Sequence, residues 1–214
     1  FSSIVDGSAY SLNPSGDSEQ DLYNRIGGKE VLSTLVYKMI IASSNLATNI
    51  VIDMIDAKAV TQTMHELGAK DIRVLRGVED TKAFVKGLNN TVTAYDLMVI
   101  YEKMATGEIV DQKASQAMIE ILLDQRFNTI IPARLPEGVR VAHKTGNIAG
   151  VLHDSGIVFL PDGRKYVLVL LSKDLKDAEG AKAAMAKVSE LLYQHVVGKD
   201  QESKEPEFKG HTNN

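Results

Sequence analysis

Between Val139 and Leu171 the sequence leaves little choice of fold. It reads Val139-Arg140-Val141-Ala142-His143-Lys144-Thr145-Gly146, breaks at Asn147-Ile148-Ala149-Gly150, resumes at Ser155-Gly156-Ile157-Val158-Phe159-Leu160, turns at Pro161-Asp162-Gly163 and runs out through Tyr166-Val167-Leu168-Val169-Leu170-Leu171. Short β-branched runs bounded by turn residues favour strands over helices. Asp162-Gly163 offers the positive φ values of a tight hairpin, so three strands in antiparallel meander are expected. Lys144-Thr145-Gly146 then falls at a strand end. There a cation, a hydroxyl and a bare glycine backbone make a clamp for an anion such as a carboxylate. The same triplet also suits an exposed strand end followed by a turn.

A three-stranded meander has to be covered, and the flanking sequence supplies helices. The chain has 214 residues, 44% of them hydrophobic, enough for one large or two small packed domains with a core. Residues 1–17, rich in Ser, Gly, Asp and Asn, read as loop. Asp17 or Ser18 is expected to cap a short helix through Leu22, Tyr23 and Ile26. Val31, Leu32, Leu35, Val36, Met39 and Ile40 form a helical stripe that ends near Ser43-Ser44-Asn45. Leu46 to Ile55 is apolar nearly all round and predicts a buried central helix. Another helix follows over 57–67. Residues 70–90 are charged and aperiodic, a loop long enough to be functional. Thr93 with Asp96 has the form of a capping box and launches a helix to Gly107. A further amphipathic helix is predicted from Asp111 to Asp124. After the strands, Glu179 to Val196 is helical, with Ala181, Ala184, Met185, Val188, Leu191 and Leu192 facing the sheet. The chain is thus divided into a loop (1–17), a helical subdomain (18–138) containing the loop 70–90, a sheet with a terminal helix (139–197), and a polar tail (198–214) expected to be disordered.

Several functions are disfavoured. Net charge is −4 with basic residues scattered among acidic ones, so no nucleic-acid partner is expected. No apolar run approaches the ~20 residues that cross a bilayer, and no charged-then-apolar signal segment is visible within these residues. Cysteine is absent, which removes disulfides and thiolate chemistry. His143 and His153 flank the clamp without the spacing of a metal pair and read as structural donors, so neither metal nor cofactor is expected.

Ser43-Ser44-Asn45 followed by Leu46-Ala47-Thr48-Asn49, then a long irregular loop, then Lys144-Thr145-Gly146 on a strand with a terminal covering helix, resembles the serine β-lactamases of class A and their penicillin-binding relatives. That family carries an S-x-x-K nucleophile motif, an S-D-N or S-x-N motif and a K-T-G motif in this order. The likeness runs from roughly Phe1 to Val197 and includes the helix entry Asn89-Asn90-Thr91-Val92-Thr93-Ala94. It implies an α+β fold, a helical subdomain packed on an antiparallel sheet with a covering C-terminal helix, the sheet incomplete in this chain. It also implies hydrolysis of β-lactam amides through an acyl-enzyme, outside the cytoplasm, in the periplasm or beyond. The alternatives are a D-alanyl-D-alanine peptidase or other penicillin-binding serine hydrolase acting on peptidoglycan peptide, or a non-catalytic member that binds such a peptide. Carried over by position, Ser43 relays a proton to the leaving nitrogen, steered by Lys144. Asn45 bonds the substrate's side-chain amide, and Lys144 with Thr145 holds its carboxylate. The N–H of Asn147, just after Gly146, forms half of the oxyanion hole. Glu79 activates the deacylating water.

The sequence departs from the family in three places. No S-x-x-K occurs, and the family order places it upstream of Phe1; N-terminal truncation is therefore expected, with these 214 residues inactive alone. Ser44 stands where S-D-N has aspartate. The fourth residue after Glu79 is Ala83 instead of the usual asparagine, while Arg76 is expected to pair with Glu79. Plainer roles are also open: Ser43 and Asn45 as caps of the helix at Leu46, Glu79 and Asp80 as a solvated pair, and Asn49 as a brace of the loop.

Overall fold

Strands β1 (Arg140–Ile148), β2 (Val151–Phe159) and β3 (Lys165–Ser172) form one antiparallel sheet in the order β1-β2-β3. They belong to a computed structural model that describes residues 1–202. The register runs from Arg140 opposite Phe159 to Ile148 opposite Val151, and from Leu152 opposite Ser172 to Phe159 opposite Lys165. The first hairpin is longer than the sequence suggests, because pairing continues through Asn147 and Ile148 and leaves only Ala149-Gly150 as the turn. In the second hairpin only Gly163 takes a positive φ, +88°. Asp162 instead accepts the Arg164 N–H at 3.0 Å on Oδ1, while the Gly163 N–H bonds Leu160 O at 3.1 Å. The left-handed position is therefore met by glycine alone.

Because alternate residues of a strand face opposite ways, the sheet has two apolar faces, and each is covered. Ala142 and Ile157 pack against Tyr101, Met104, Ile119 and Leu122 of helices α5 (Ala94–Thr106) and α6 (Gln112–Leu123). Val141, Leu152, Val158 and Leu168 pack on the other side against Met185 of α7 (Ala178–Glu202) and against Ile130 and Ile131. A third cluster of Leu22, Leu35, Leu46, Ala47 and Val51 ties the N-terminal segment to α1 (Leu32–Ile41) and α2 (Asn45–Ile55). Each Leu, Ile, Val or Met among them contributes about 1.5–3 kcal/mol on full burial. Helix α3 (Ala57–Glu66) and the short α4 (Thr81–Val85) complete the helical part. The helix starts follow local chemistry: Thr93 and Asp96 make the expected capping box, and Asp111 accepts the Ala114 N–H at 2.7 Å.

Four expectations are corrected. Residues 17–26 form only a 3-10 turn, Tyr23–Arg25, and Asp17 caps no helix of its own there, its Oδ2 accepting from Leu46 of α2 as well as from Tyr23. Helix α2 is buried on one face only, with Met54 and Ile55 more than half exposed. Helix α7 meets the sheet through Ala181, Met185 and Leu192, leaving Ala184, Val188 and Leu191 outward. It also continues to Glu202, through the first five residues of the segment read as a disordered tail; the remainder of that segment lies outside the described residues. No helix of the described residues is long and apolar enough to cross a membrane.

Candidate active site

The turn between α1 and α2 carries Ser43, Ser44 and Asn45. Ser44, wholly buried, is the N-cap of α2, its Oγ accepting the Ala47 N–H at 3.2 Å. Neither Ser43 nor Asn45 is needed as a cap: Asn45 is the first residue of the helix, and Ser43 lies outside it with φ +52°. A left-handed, non-glycine residue is held there against a cost of about 1–2 kcal/mol, a pattern that clusters at functional sites. The conformation aims Ser43 Oγ at the sheet, where Lys144 Nζ hydrogen-bonds it across 101 residues of sequence. Lys144 Nζ also donates to Thr145 O at 2.6 Å. Burial brings the Lys144 pKa down to about 8, against the upward pull of Asp154. The structure thus sets a cation with a readily lost proton against a serine hydroxyl.

Ser43, Asn45, Glu79 and Asn147 line one open cavity of about 410 Å³, with Gly16, Ser18, Arg76, Val78, Phe84 and Ile148 among its other walls. Lys144 is not one of the lining residues but hydrogen-bonds Ser43, which is. Thr145 and Gly146 follow on β1 outside the lining set, half-buried beside it. Opposite Gly146 lies His153, and a Cβ at 146 would meet its side chain at an ordinary 3.5 Å, so the protein itself does not require glycine there. A larger depression of about 660 Å³ between Tyr37, Asp124 and Val141 contains none of these candidates.

Glu79 arrives at the cavity on the loop 70–90, itself with φ +64°. Its Oε2 accepts the Asn13 N–H at 2.7 Å, and its Oε1 faces Asn45 Nδ2 at 3.5 Å. The loop is braced by Asn49, 2% exposed, which accepts the Val78 N–H at 2.7 Å and donates to Val78 O at 2.8 Å. Gly77 is what lets the loop sit so close: a Cβ there would lie 2.3 Å from Tyr10 OH and 2.6 Å from Asn49 Oδ1. The expected Arg76–Glu79 ion pair is not formed. Arg76 stacks over Phe84 at 5.5 Å and donates to Gly77 O at 2.9 Å, while Asn90 closes the neck by accepting the N–H groups of Leu75 and Arg76. Asp80 is no solvated partner either: 1% exposed, it caps α4 and receives the Ser3 hydroxyl at 3.2 Å. Ala83, where the family has asparagine, is wholly buried. His143 is wholly buried between Asp154 (2.8 Å) and Asn128 Oδ1 (3.0 Å), and His153 Nδ1 accepts the Ser172 N–H at 3.1 Å, both structural roles.

Sequence periodicity did not point to Gly16, Ser18 or Phe84 as cavity walls, because their partners lie far along the chain. Asn13 and Gly77 carried no motif at all.

The model of the beta-lactamase enzyme family matches residues 16–196. The chain belongs to that family. Among solved structures it is similar to a beta-lactamase from Sphaerobacter thermophilus DSM 20745, with a TM-score of 0.73 and 28% identity over 78% of this chain and 64% of that one. It is also similar to PBP-A, with a TM-score of 0.74 and 27% identity over 91% of this chain and 69% of that one. TLA-3 extended-spectrum beta-lactamase, at 18% identity and a TM-score of 0.71 over 83% of this chain and 70% of that one, shares the fold. None of the curated proteins compared matches the sequence. The chain thus spans about two thirds of the length of these relatives, 64% of the Sphaerobacter enzyme.

Proposed function

We propose that this chain supplies the substrate-holding and proton-relaying part of a serine acyl-transfer site, and that the complete protein is a weak β-lactamase acting outside the cytoplasm. The observation that carries the reading is the Lys144–Ser43 contact at a cavity shared with Asn45 and Glu79. On this reading the chain supplies the roles below apart from the nucleophile, the base that deprotonates it and the second half of the oxyanion hole. A serine from an S-x-x-K segment attacks the strained lactam carbonyl while that segment's lysine takes its proton, which replaces the one Ser43 delivers as the C–N bond breaks. Ser43 passes a proton to the departing nitrogen, with the Lys144 charge favouring its transient alkoxide character. Lys144 and Thr145 hold the ring carboxylate, Asn45 the side-chain amide, and the Asn147 N–H half of the developing oxyanion. No step calls for a metal or organic cofactor.

Glu79 frees the acyl group by activating water, but Ala83 offers that water no second holder. One missing donor of this kind removes about 3 kcal/mol, or roughly a hundredfold in rate, so turnover is slow. The same observation favours a second reading, a penicillin-binding peptidase whose acyl-enzyme persists; a PBP-A mutant is described as an acyl-enzyme complex with penicillin-G. The two are separated by Glu79→Gln in a protein that joins an S-x-x-K segment ahead of Phe1. For the lactamase, penicilloyl-enzyme forms at the parent rate and then persists in mass spectra taken over time. If the variant deacylates as fast as its parent, Glu79 is a surface carboxylate and the peptidase reading takes over.

A further inference from the structure

We infer that Asp17 is a positioning residue of this site: its buried carboxylate, brought in from the N-terminal segment, holds the Ser43–Asn45 turn in the place of the aspartate that Ser44 has replaced. The inference rests on reading Ser43 and Asn45 as site residues. Asp17 is 6% exposed. Its Oδ2 accepts the Leu46 N–H at 3.0 Å, the Tyr23 hydroxyl at 3.0 Å and the Ser44 hydroxyl at 3.4 Å, while Oδ1 accepts the Glu19 N–H at 3.0 Å. Ser44 Oγ therefore accepts from Ala47 and donates to Asp17, so the two side chains together satisfy the first free N–H groups of α2. A carboxylate at that helix start is also favoured by the helix dipole. Burial by hydrogen-bond donors replaces a cation here; the nearby lysine, Lys38, pairs with Glu19 at 3.0 Å. Lys38 O, at the end of α1, in turn accepts the Ser44 N–H at 3.3 Å, so the turn is held by α1 on one side and by Asp17 on the other.

The consequence falls on Ser43, whose φ of +52° is not its own preference. With Ser44 and Leu46 fixed, the residue between Ala42 and Ser44 is left in the conformation that points Oγ at Lys144. All four groups around Asp17 are donors, so an amide at this position turns an NH₂ toward one of them whichever way it lies. An aspartate at position 44 would place its carboxylate on the same helix start from within the turn.

The test uses Asp17→Asn, Ser44→Asp and the double variant. Backbone NMR reads the downfield shift of the Leu46 amide and the three-bond coupling between the Ser43 Hα and the preceding carbonyl carbon, which is large only at positive φ and is indifferent to overall stability. Asp17→Asn is expected to lose both signatures. In a protein that joins an S-x-x-K segment ahead of Phe1, it is also expected to slow penicillin acylation by about tenfold or more, the loss of a hydrogen bond to a charged group. Ser44→Asp alone sets two carboxylates on one cap and also disturbs the turn, whereas the double variant restores the Ser43 coupling and the acylation rate. Should Asp17→Asn fail to fold, recovery of fold and coupling together in the double variant supports the inference. An unchanged Ser43 coupling in Asp17→Asn, or a double variant that does not recover it, overturns it. The NMR measurement involves no substrate, so it stands whether or not the protein proves to act on β-lactams.

Discussion

On the proposed reading Lys144 joins two tasks through one charge, steering the Ser43 hydroxyl that it hydrogen-bonds and attracting a carboxylate. Burial lowers its pKa to about 8, and a bound carboxylate pulls it back up by favouring the charged form. Affinity for a carboxylate-bearing β-lactam is therefore expected to be level below about pH 7 and to fall about tenfold per pH unit once the free-site lysine is neutral. Calorimetric titration across pH 6–10 checks this; an affinity unchanged to pH 10 contradicts it. Stability moves the opposite way. The unfolded chain binds the proton that folded Lys144 gives up early, so the burial penalty is full below pH 8 and is relieved as pH rises toward 10.5. In a protein that joins an S-x-x-K segment ahead of Phe1, Lys144→Ala is expected to lower kcat/KM more than Thr145→Ala. A bond to a charged group contributes about 1.5–3 kcal/mol and a neutral hydroxyl about 1. Steady-state kinetics that rank the two variants the other way would remove Lys144 from the carboxylate clamp.

At the scale of elements, the loop that carries Glu79 depends on one side chain from α2. Asn49 satisfies both the N–H and the carbonyl of Val78, so Asn49→Ala strands two part-buried backbone groups. A loss of about 2–3 kcal/mol in urea unfolding is expected. Gly77→Ala is expected to act on function more than on stability: its Cβ must push Tyr10 or Asn49 aside and carry Glu79 with it. The measurement is the deacylation rate in a protein that joins an S-x-x-K segment ahead of Phe1, and a rate equal to the parent's would show that the close approach is unimportant. The elements that could be read from sequence are those whose determinants lie within a few residues, such as the Thr93–Asp96 capping box and the strand runs on both sides of Gly163. The segment 17–26 has a helix-like pattern, but Asp17 shares its carboxylate between Glu19 and Tyr23 nearby and Leu46 and Ser44, which lie beyond any local window. Arg76 and Glu79 look like a pair by spacing, yet the loop neck is closed by neutral Asn90 and Glu79 is engaged by the Asn13 backbone. The motif residues were legible because their types are chemically restrictive. Gly77 and Asn13 act through main-chain proximity, which leaves no side-chain signal.

For the molecule as a whole, the helical part and the sheet meet at the Ser43–Lys144 contact, and no S-x-x-K occurs among the 214 residues. Three strands are present among the described residues, and the chain spans 64% and 69% of the two relatives nearest it in identity among those above. The central proposal is that Ser43 and Lys144 serve an acyl-transfer site whose attacking serine is not one of these 214 residues. Mass spectrometry after exposure to penicillin tests it most directly. The 214 residues alone are predicted to carry no penicilloyl adduct and to leave a chromogenic cephalosporin intact. With an S-x-x-K segment joined ahead of Phe1, an adduct should form on that segment's serine at a rate that drops in Lys144→Ala and Ser43→Ala. A penicilloyl adduct on any serine of the 214-residue chain by itself, or an acylation rate indifferent to both substitutions, would contradict the account.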